Sequence, residues 1–269
     1  MTVVALPTGV SVSWNVDGAG PWLALWGGPH TCEVVRSFLG PPLVAAGFRV
    51  LTSEYRGLPP SDVPAPPYSV AQLAGDAAAL LDVVGTGPCR VFGYSLGAFV
   101  AQELAGARPD LVSALALAGT RLEPGAVYRH LHAEALARLE SGGAIPEATM
   151  ALLRVSVMFA PRRLASDAFA AHALEMMGRP PVEGYSELGL TQASAHYRPD
   201  PAVLAGIRAP ALVVGFEDDV LTPPAQGRAV AGTIPRARYA QIRRAGHGAF
   251  MEKPGELVRL VTRFFAEVA

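Results

Sequence analysis

The sequence predicts an α/β fold: a mostly parallel, doubly wound sheet interrupted by a block of helices. Three observations carry this. Short apolar runs alternate with helical patterns through the first 120 residues, the rhythm of βαβ units. From Arg121 to about Gly206 helical patterns recur with no strand between them, and the sheet rhythm resumes at Pro210-Ala211-Leu212-Val213-Val214. Finally, Val91-Phe92-Gly93-Tyr94-Ser95-Leu96-Gly97-Ala98 reads as a strand, a turn with a serine between two glycines, and the start of a helix. The expected division is a core over residues 1–120, a helical insertion over 121–206 and the rest of the core over 207–269.

In chain order, Val10 to Val16 alternates apolar and polar residues before Asp17-Gly18, which predicts a half-exposed antiparallel strand at one sheet edge. Trp22 to Trp26 is a solid apolar run broken by Gly27-Gly28-Pro29-His30, a buried strand ending where backbone amides can face a ligand. A helix is expected from about Glu33 to Ala46, interrupted or bent near Gly40-Pro41-Pro42, then a strand from Phe48 to Thr52. Tyr55 to Asp62 reads as loop. Ser69 with Gln72 forms a capping box for a helix to about Val84. Arg90 to Phe92 is the next strand, Leu96 to Arg108 a helix, and Leu111 to Ala118 another buried strand. Within the insertion, helices are expected over Val127 to Glu140, Pro146 to Phe159 and Ser166 to Met177. After the strand at 210–214 come a helix near Pro224 to Gly232, a strand from Arg238 to Ile242, a loop through Gly246-His247-Gly248 and a closing helix from Pro254.

Composition narrows the function. Hydrophobic residues make up 51% and charged residues 17%, the balance of a globular chain with a sizeable core. The net charge of -1, with both signs scattered, offers no basic stripe for nucleic acid and no polybasic membrane anchor, so a small-molecule partner is expected. No run is long enough to span a bilayer and the first residues lack a signal-peptide pattern, which predicts a cytoplasmic protein. Lys253 is the only lysine among 22 basic residues, a bias that reads as a GC-rich bacterial genome. Cys32 and Cys89 fall at opposite ends of a parallel sheet, so no disulfide is expected.

A serine hydroxyl is a poor nucleophile at neutral pH and needs a base within hydrogen-bond reach and a third group to orient that base. Of six histidines, His247 sits in a short glycine-flanked loop right after a predicted strand. Gly215-Phe216-Glu217-Asp218-Asp219 leaves the preceding strand at the same carboxyl-end edge, where open α/β sheets keep their sites.

With Gly93-Tyr94-Ser95-Leu96-Gly97, the order serine, acid, histidine, Ala245-Gly246-His247 followed by Glu252-Lys253-Pro254, and Ile234-Pro235-Arg236-Ala237, the chain resembles the α/β-hydrolase superfamily over nearly everything but the insertion. The resemblance implies that Ser95 is the nucleophile, His247 the general base and later acid, and the insertion a lid. The acid is expected to be Asp219, four residues before Pro223, with Asp218, three after Gly215, as the alternative. The oxyanion hole would be the backbone N–H groups of Gly28 and Leu96. No cofactor and no metal are implied. Two departures stand out: Trp26 where many relatives carry histidine, and Leu58-Pro59-Pro60 after Arg56-Gly57 where a histidine-glycine pair is usual.

Other candidates have plainer readings. His30 is a loop histidine beside the proposed hole. His130, His132 and Glu134 read as a solvated lid face, since His132 points away from the other two on a helix. Met150, Met158, Phe159, Met176 and Met177 read as lid packing or as an adaptable wall for an apolar substrate. The expected function is a serine hydrolase that cleaves a carboxylic ester, lactone or thioester of a small, largely apolar substrate through an acyl-enzyme. Two alternatives stay open: a lyase or cyclase using the same three residues, and a ligand-binding protein without turnover.

Overall fold

The computed structural model describes residues 2–28, 32–178 and 183–268. Its sheet has eight strands, β1 (Thr2–Ala5), β2 (Ser11–Asp17), β3 (Trp22–Trp26), β4 (Arg49–Ser53), β5 (Cys89–Tyr94), β6 (Val112–Ala118), β7 (Ala211–Phe216) and β8 (Ala237–Ile242), in the spatial order β1-β2-β4-β3-β5-β6-β7-β8. β1 and β2 run antiparallel and β4 onward is parallel. The edge strand is therefore β1, not the 10–16 strand expected there. β2 is covered on its outer side by pairing such as Val4 with Val12, because the short Thr-Val-Val-Ala run at the start of the chain supplies a β-branched partner.

Between strands lie α1 (Cys32–Ala45), α2 (Val70–Val84) and α3 (Leu96–Ala107). α1 is continuous through Pro41 and Pro42 rather than interrupted. Its inner residues Val35, Leu39 and Leu43 are fully buried, and that apolar face offsets the hydrogen bonds the prolines cannot make. α2 begins at the capping box, with Ser69 Oγ accepting the Gln72 N–H and the Gln72 side chain accepting the Ser69 N–H.

Between β6 and β7 come α4 (Ala126–Glu140), α5 (Glu147–Met158), α6 (Pro161–Leu164), α7 (Asp167–Met177), α8 (Glu187–His196) and α9 (Pro201–Ala205). α10 (Pro224–Thr233), α11 (Ala249–Glu252) and α12 (Pro254–Glu267) follow. Phe159 and Met177 are buried, and together with partly buried Met158 and Met176 they join the apolar cluster that holds Tyr94, Phe216 and Phe250.

Arg121, immediately after β6, is fully buried. Its two terminal nitrogens donate to the carbonyls of Ser194 and Tyr197 at 3.0 Å each, and the guanidinium lies 4.7 Å from the Phe99 ring and 4.4 Å from the Tyr128 ring. Those carbonyls are the C-terminal end of α8, where the helix dipole carries partial negative charge. The buried cation thus fastens α8 to the core.

Candidate active site

The turn after β5 holds Ser95 at φ 58 and ψ -120, a conformation costing about 1–3 kcal/mol in a non-glycine residue. The elbow is possible because its glycines let strands and helix touch. A Cβ on Gly97 would stand 2.1 Å from the Trp26 carbonyl oxygen, and one on Gly93 2.2 Å from the Gly97 oxygen. Trp26 itself is buried in the core and donates its indole N–H to Ser53 Oγ at 2.9 Å.

Ser95, Asp219 and His247 follow β5, β7 and β8, so parallel strands deliver all three to one end of the sheet. Ser95 Oγ is 2.9 Å from His247 Nε2, and His247 Nδ1 is 2.7 Å from Asp219 Oδ2. Asp219 can only accept, which places the ring proton on Nδ1 and leaves the Nε2 lone pair for the serine hydroxyl. Asp219 and His247 are buried whereas Ser95 keeps some exposure.

Burial by itself pushes the Asp219 carboxyl up. The His247 ring beside it and hydrogen bonds from His247 and Thr222 outweigh that, and the group ends below its ordinary value. Asp219 Oδ1 accepts the N–H groups of Leu221 and Thr222 at 2.8 Å each, and Oδ2 accepts the Thr222 hydroxyl at 2.7 Å. Asp218 takes no part in this set; it faces Arg162 at 3.2 Å.

Leu96 is the first residue of α3, so its N–H is one of the helix-end amides without an intrahelical acceptor. Gly28 is the second residue after β3, and the Gly97 N–H ties the neighbouring Gly27 carbonyl to the elbow at 3.0 Å. His30 lies outside the described residues.

Two supporting residues were not singled out by the sequence. Tyr94, the variable position of the Gly-x-Ser-x-Gly motif, donates its hydroxyl to the His247 carbonyl at 2.5 Å, joining the serine strand to the histidine loop. Its burial drives the phenol well above its usual range, so it stays a donor. Glu252, quoted above only as part of a motif, accepts the Gly246 N–H at 2.6 Å and the Ala160 N–H at 2.8 Å. One carboxylate thereby bridges the histidine loop and the helices between β6 and β7. The Tyr94–His247 and Glu252–Ala160 contacts have no signal in local sequence, because those partners are distant in the chain, whereas Gly246 and Glu252 are six residues apart.

His132 departs from the solvated lid face expected for it. Its ring stacks on Tyr128 at 3.9 Å and Nδ1 is 2.9 Å from the Tyr128 carbonyl oxygen. Burial, with the charge of Arg121 adding to it, lowers its pKa to about 4, so the ring is neutral at physiological pH. His130 and Glu134 are exposed. Among the described residues no group of three or more His, Cys, Asp or Glu is placed to hold a metal ion, and no helix is long and apolar enough to cross a membrane. Cys89 is buried as a free thiol, pushed up to about 11 by that burial.

Known proteins resemble this chain in sequence and in fold. A Mycobacterium tuberculosis H37Rv protein provisionally named non-heme bromoperoxidase BpoC is 33% identical over 228 residues, 85% of this chain and 87% of that one. Its crystal structure superposes with a TM-score of 0.87 at 31% identity, covering 96% of each chain. A pimeloyl-[acyl-carrier protein] methyl ester esterase of Chromobacterium violaceum is 30% identical over 208 residues, 74% of this chain and 79% of the relative. The alpha/beta hydrolase family model matches residues 17–260. The chain belongs to the alpha/beta hydrolase family.

Proposed function

We propose that the protein is a serine hydrolase that cleaves a carboxylic ester, lactone or thioester of a small, largely apolar substrate through an acyl-enzyme. The observation that carries this reading is the unbroken hydrogen-bond chain from Ser95 Oγ through His247 to Asp219. Ser95 attacks the carbonyl carbon as its proton passes to His247 Nε2. The tetrahedral oxyanion is held by the N–H groups of Gly28 and Leu96, each donor of this kind contributing about 3–4 kcal/mol to the transition state. On collapse the C–O or C–S bond to the leaving group breaks and the leaving group takes the proton from His247. Water, deprotonated by the same imidazole, then releases the acid. Asp219 keeps the ring in the tautomer required and stabilises the imidazolium. The esterase relative works on an ester bond by name, which supports the same bond class here.

The helices between β6 and β7 act as the lid in this reading, with Met158, Phe159, Met176 and Met177 as part of an apolar wall. A fluorophosphonate probe tests the proposal: wild type is labelled on Ser95 and hydrolyses p-nitrophenyl acetate, whereas Ser95→Ala and His247→Ala remain folded and lose both properties. Labelling elsewhere, or wild-type turnover by Ser95→Ala, overturns the mechanism. Mass spectrometry of products separates the alternatives, since hydrolysis adds one water and a cyclase leaves mass unchanged.

A further inference from the structure

Tyr55 carries a buried hydroxyl that the reaction sequence above leaves unused. It stands in the loop after β4, beside the stretch where the sequence departs from the family pattern. The hydroxyl donates to the Gly27 carbonyl oxygen at 2.9 Å, and the same oxygen accepts the Gly97 N–H at 3.0 Å. A carbonyl oxygen has two lone pairs, and donors from two different elements engage it here.

The consequence falls on the other side of the same peptide. In a trans peptide the C=O and the following N–H point in opposite directions, and the Gly27–Gly28 bond is not among the cis bonds of the described chain. Holding the Gly27 oxygen therefore aims the Gly28 N–H away from Tyr55 and Gly97. A Gly-Gly pair has little intrinsic conformational restraint, so the plane of this peptide must be set by its neighbours. One hydrogen bond from Gly97 leaves the plane free to roll about that contact; a second donor, approaching from the β4 loop, removes the freedom.

Tyr55 is itself held in place. The next residue, Arg56, makes two hydrogen bonds to Asp76, at 2.6 and 2.7 Å, and Thr8 Oγ1 adds a third at 2.6 Å. The ion pair is largely buried, which makes it a rigid base for the loop.

We propose that Tyr55 is a positioning residue for the oxyanion hole, its hydroxyl acting through the Gly27 carbonyl to hold the Gly28 N–H on the oxygen that becomes negative during acyl transfer. The inference rests on the serine-hydrolase reading.

Tyr55→Phe removes one oxygen and keeps the ring. With p-nitrophenyl acetate as substrate, the variant is expected to lose about tenfold in kcat with KM within about twofold, since an interaction made in the transition state alone has been loosened. Affinity for a trifluoromethyl ketone, which forms a tetrahedral oxyanion on a serine, falls by the same factor. A lower melting temperature with unchanged kcat and ketone affinity marks a structural role and overturns the proposal. A raised KM at constant kcat does the same. Should the phenylalanine variant fail to fold, 3-fluorotyrosine placed at position 55 strengthens the donor and keeps the packing. Tighter ketone binding is then expected, and unchanged binding overturns the link. A wild-type protein that neither hydrolyses the ester nor binds the ketone removes the hydrolase reading itself, an outcome distinct from a Tyr55→Phe variant that behaves as wild type.

Discussion

The helix behind the serine and the first helix after β6 are held by different forces. α3 buries Leu96, Ala98, Phe99, Val100, Ala101 and Leu104 against the sheet, so apolar area fixes it. α4 is longer, yet of its side chains Tyr128 alone is buried. It is held by directed polar contacts: the Tyr128 hydroxyl on Ser194, Arg138 on Glu187 at 2.9 Å, and the buried Arg121 against the Tyr128 ring. Non-directional burial gives the proposed nucleophile a rigid seat. A few hydrogen bonds give α4 a hold that single substitutions can release, and such regions are the ones that open first.

The contrast can be broken at either end. The largest effect is expected on the rigid side, at the acid. Asp219→Asn removes the acceptor that fixes the His247 tautomer and should lower kcat about ten-thousandfold. Asp218→Asn, which loses only a partly exposed ion pair with Arg162, should leave kcat within about twofold. Steady-state kinetics on an activated ester compares the two, and equal losses would mean that the buried carboxylate does not orient the ring.

Next comes the polar anchor. Arg121→Met fills a similar volume but removes two buried charge-assisted hydrogen bonds, leaving the Ser194 carbonyl to Tyr128 and the Tyr197 carbonyl to Arg198, and should cost about 3 kcal/mol in urea unfolding. A loss below about 1 kcal/mol would show that α8 is held by burial after all.

A pH dependence of comparable size follows. His132 has a folded pKa of about 4 against an ordinary 6.5, so the unfolded chain binds the extra proton between those values. Its contribution is fully present above pH 6.5, is lost as pH falls, and is gone below about pH 4. Urea melts of wild type should show that acid-side decline, and His132→Phe should flatten it. A parallel decline in both proteins would place the titrating group elsewhere.

The contrast also explains what could be read without coordinates. α2 with its capping box, the β5 turn and α3, and the strands from β3 onward are each written in short-range patterns, and their boundaries agree with the expectation within a few residues. β1 escaped because four residues form a strand only when a partner is there to pair with. Pro41 and Pro42 argued for an interruption or a bend in α1, and with Val35, Leu39 and Leu43 buried the helix continues through them. His132 looked solvated because helical spacing says which residues share a face and nothing about what covers that face.

By itself, then, the order of residues determined the alternation of strands and helices, the family, and the short set of groups able to meet at the carboxyl ends of the strands. Those properties depend on spacing of a few residues, which periodicity and turn chemistry read directly. Tertiary structure alone decided that Asp219 rather than Asp218 lies on the imidazole, that Tyr94 and Glu252 brace the histidine loop, and that the Tyr55 hydroxyl meets the Gly27 carbonyl. Apart from the Glu252–Gly246 bond, which spans six residues, each of these is a hydrogen bond between segments far apart in the chain or a choice between adjacent carboxylates, and its geometry exists only once the sheet has brought the strand ends together.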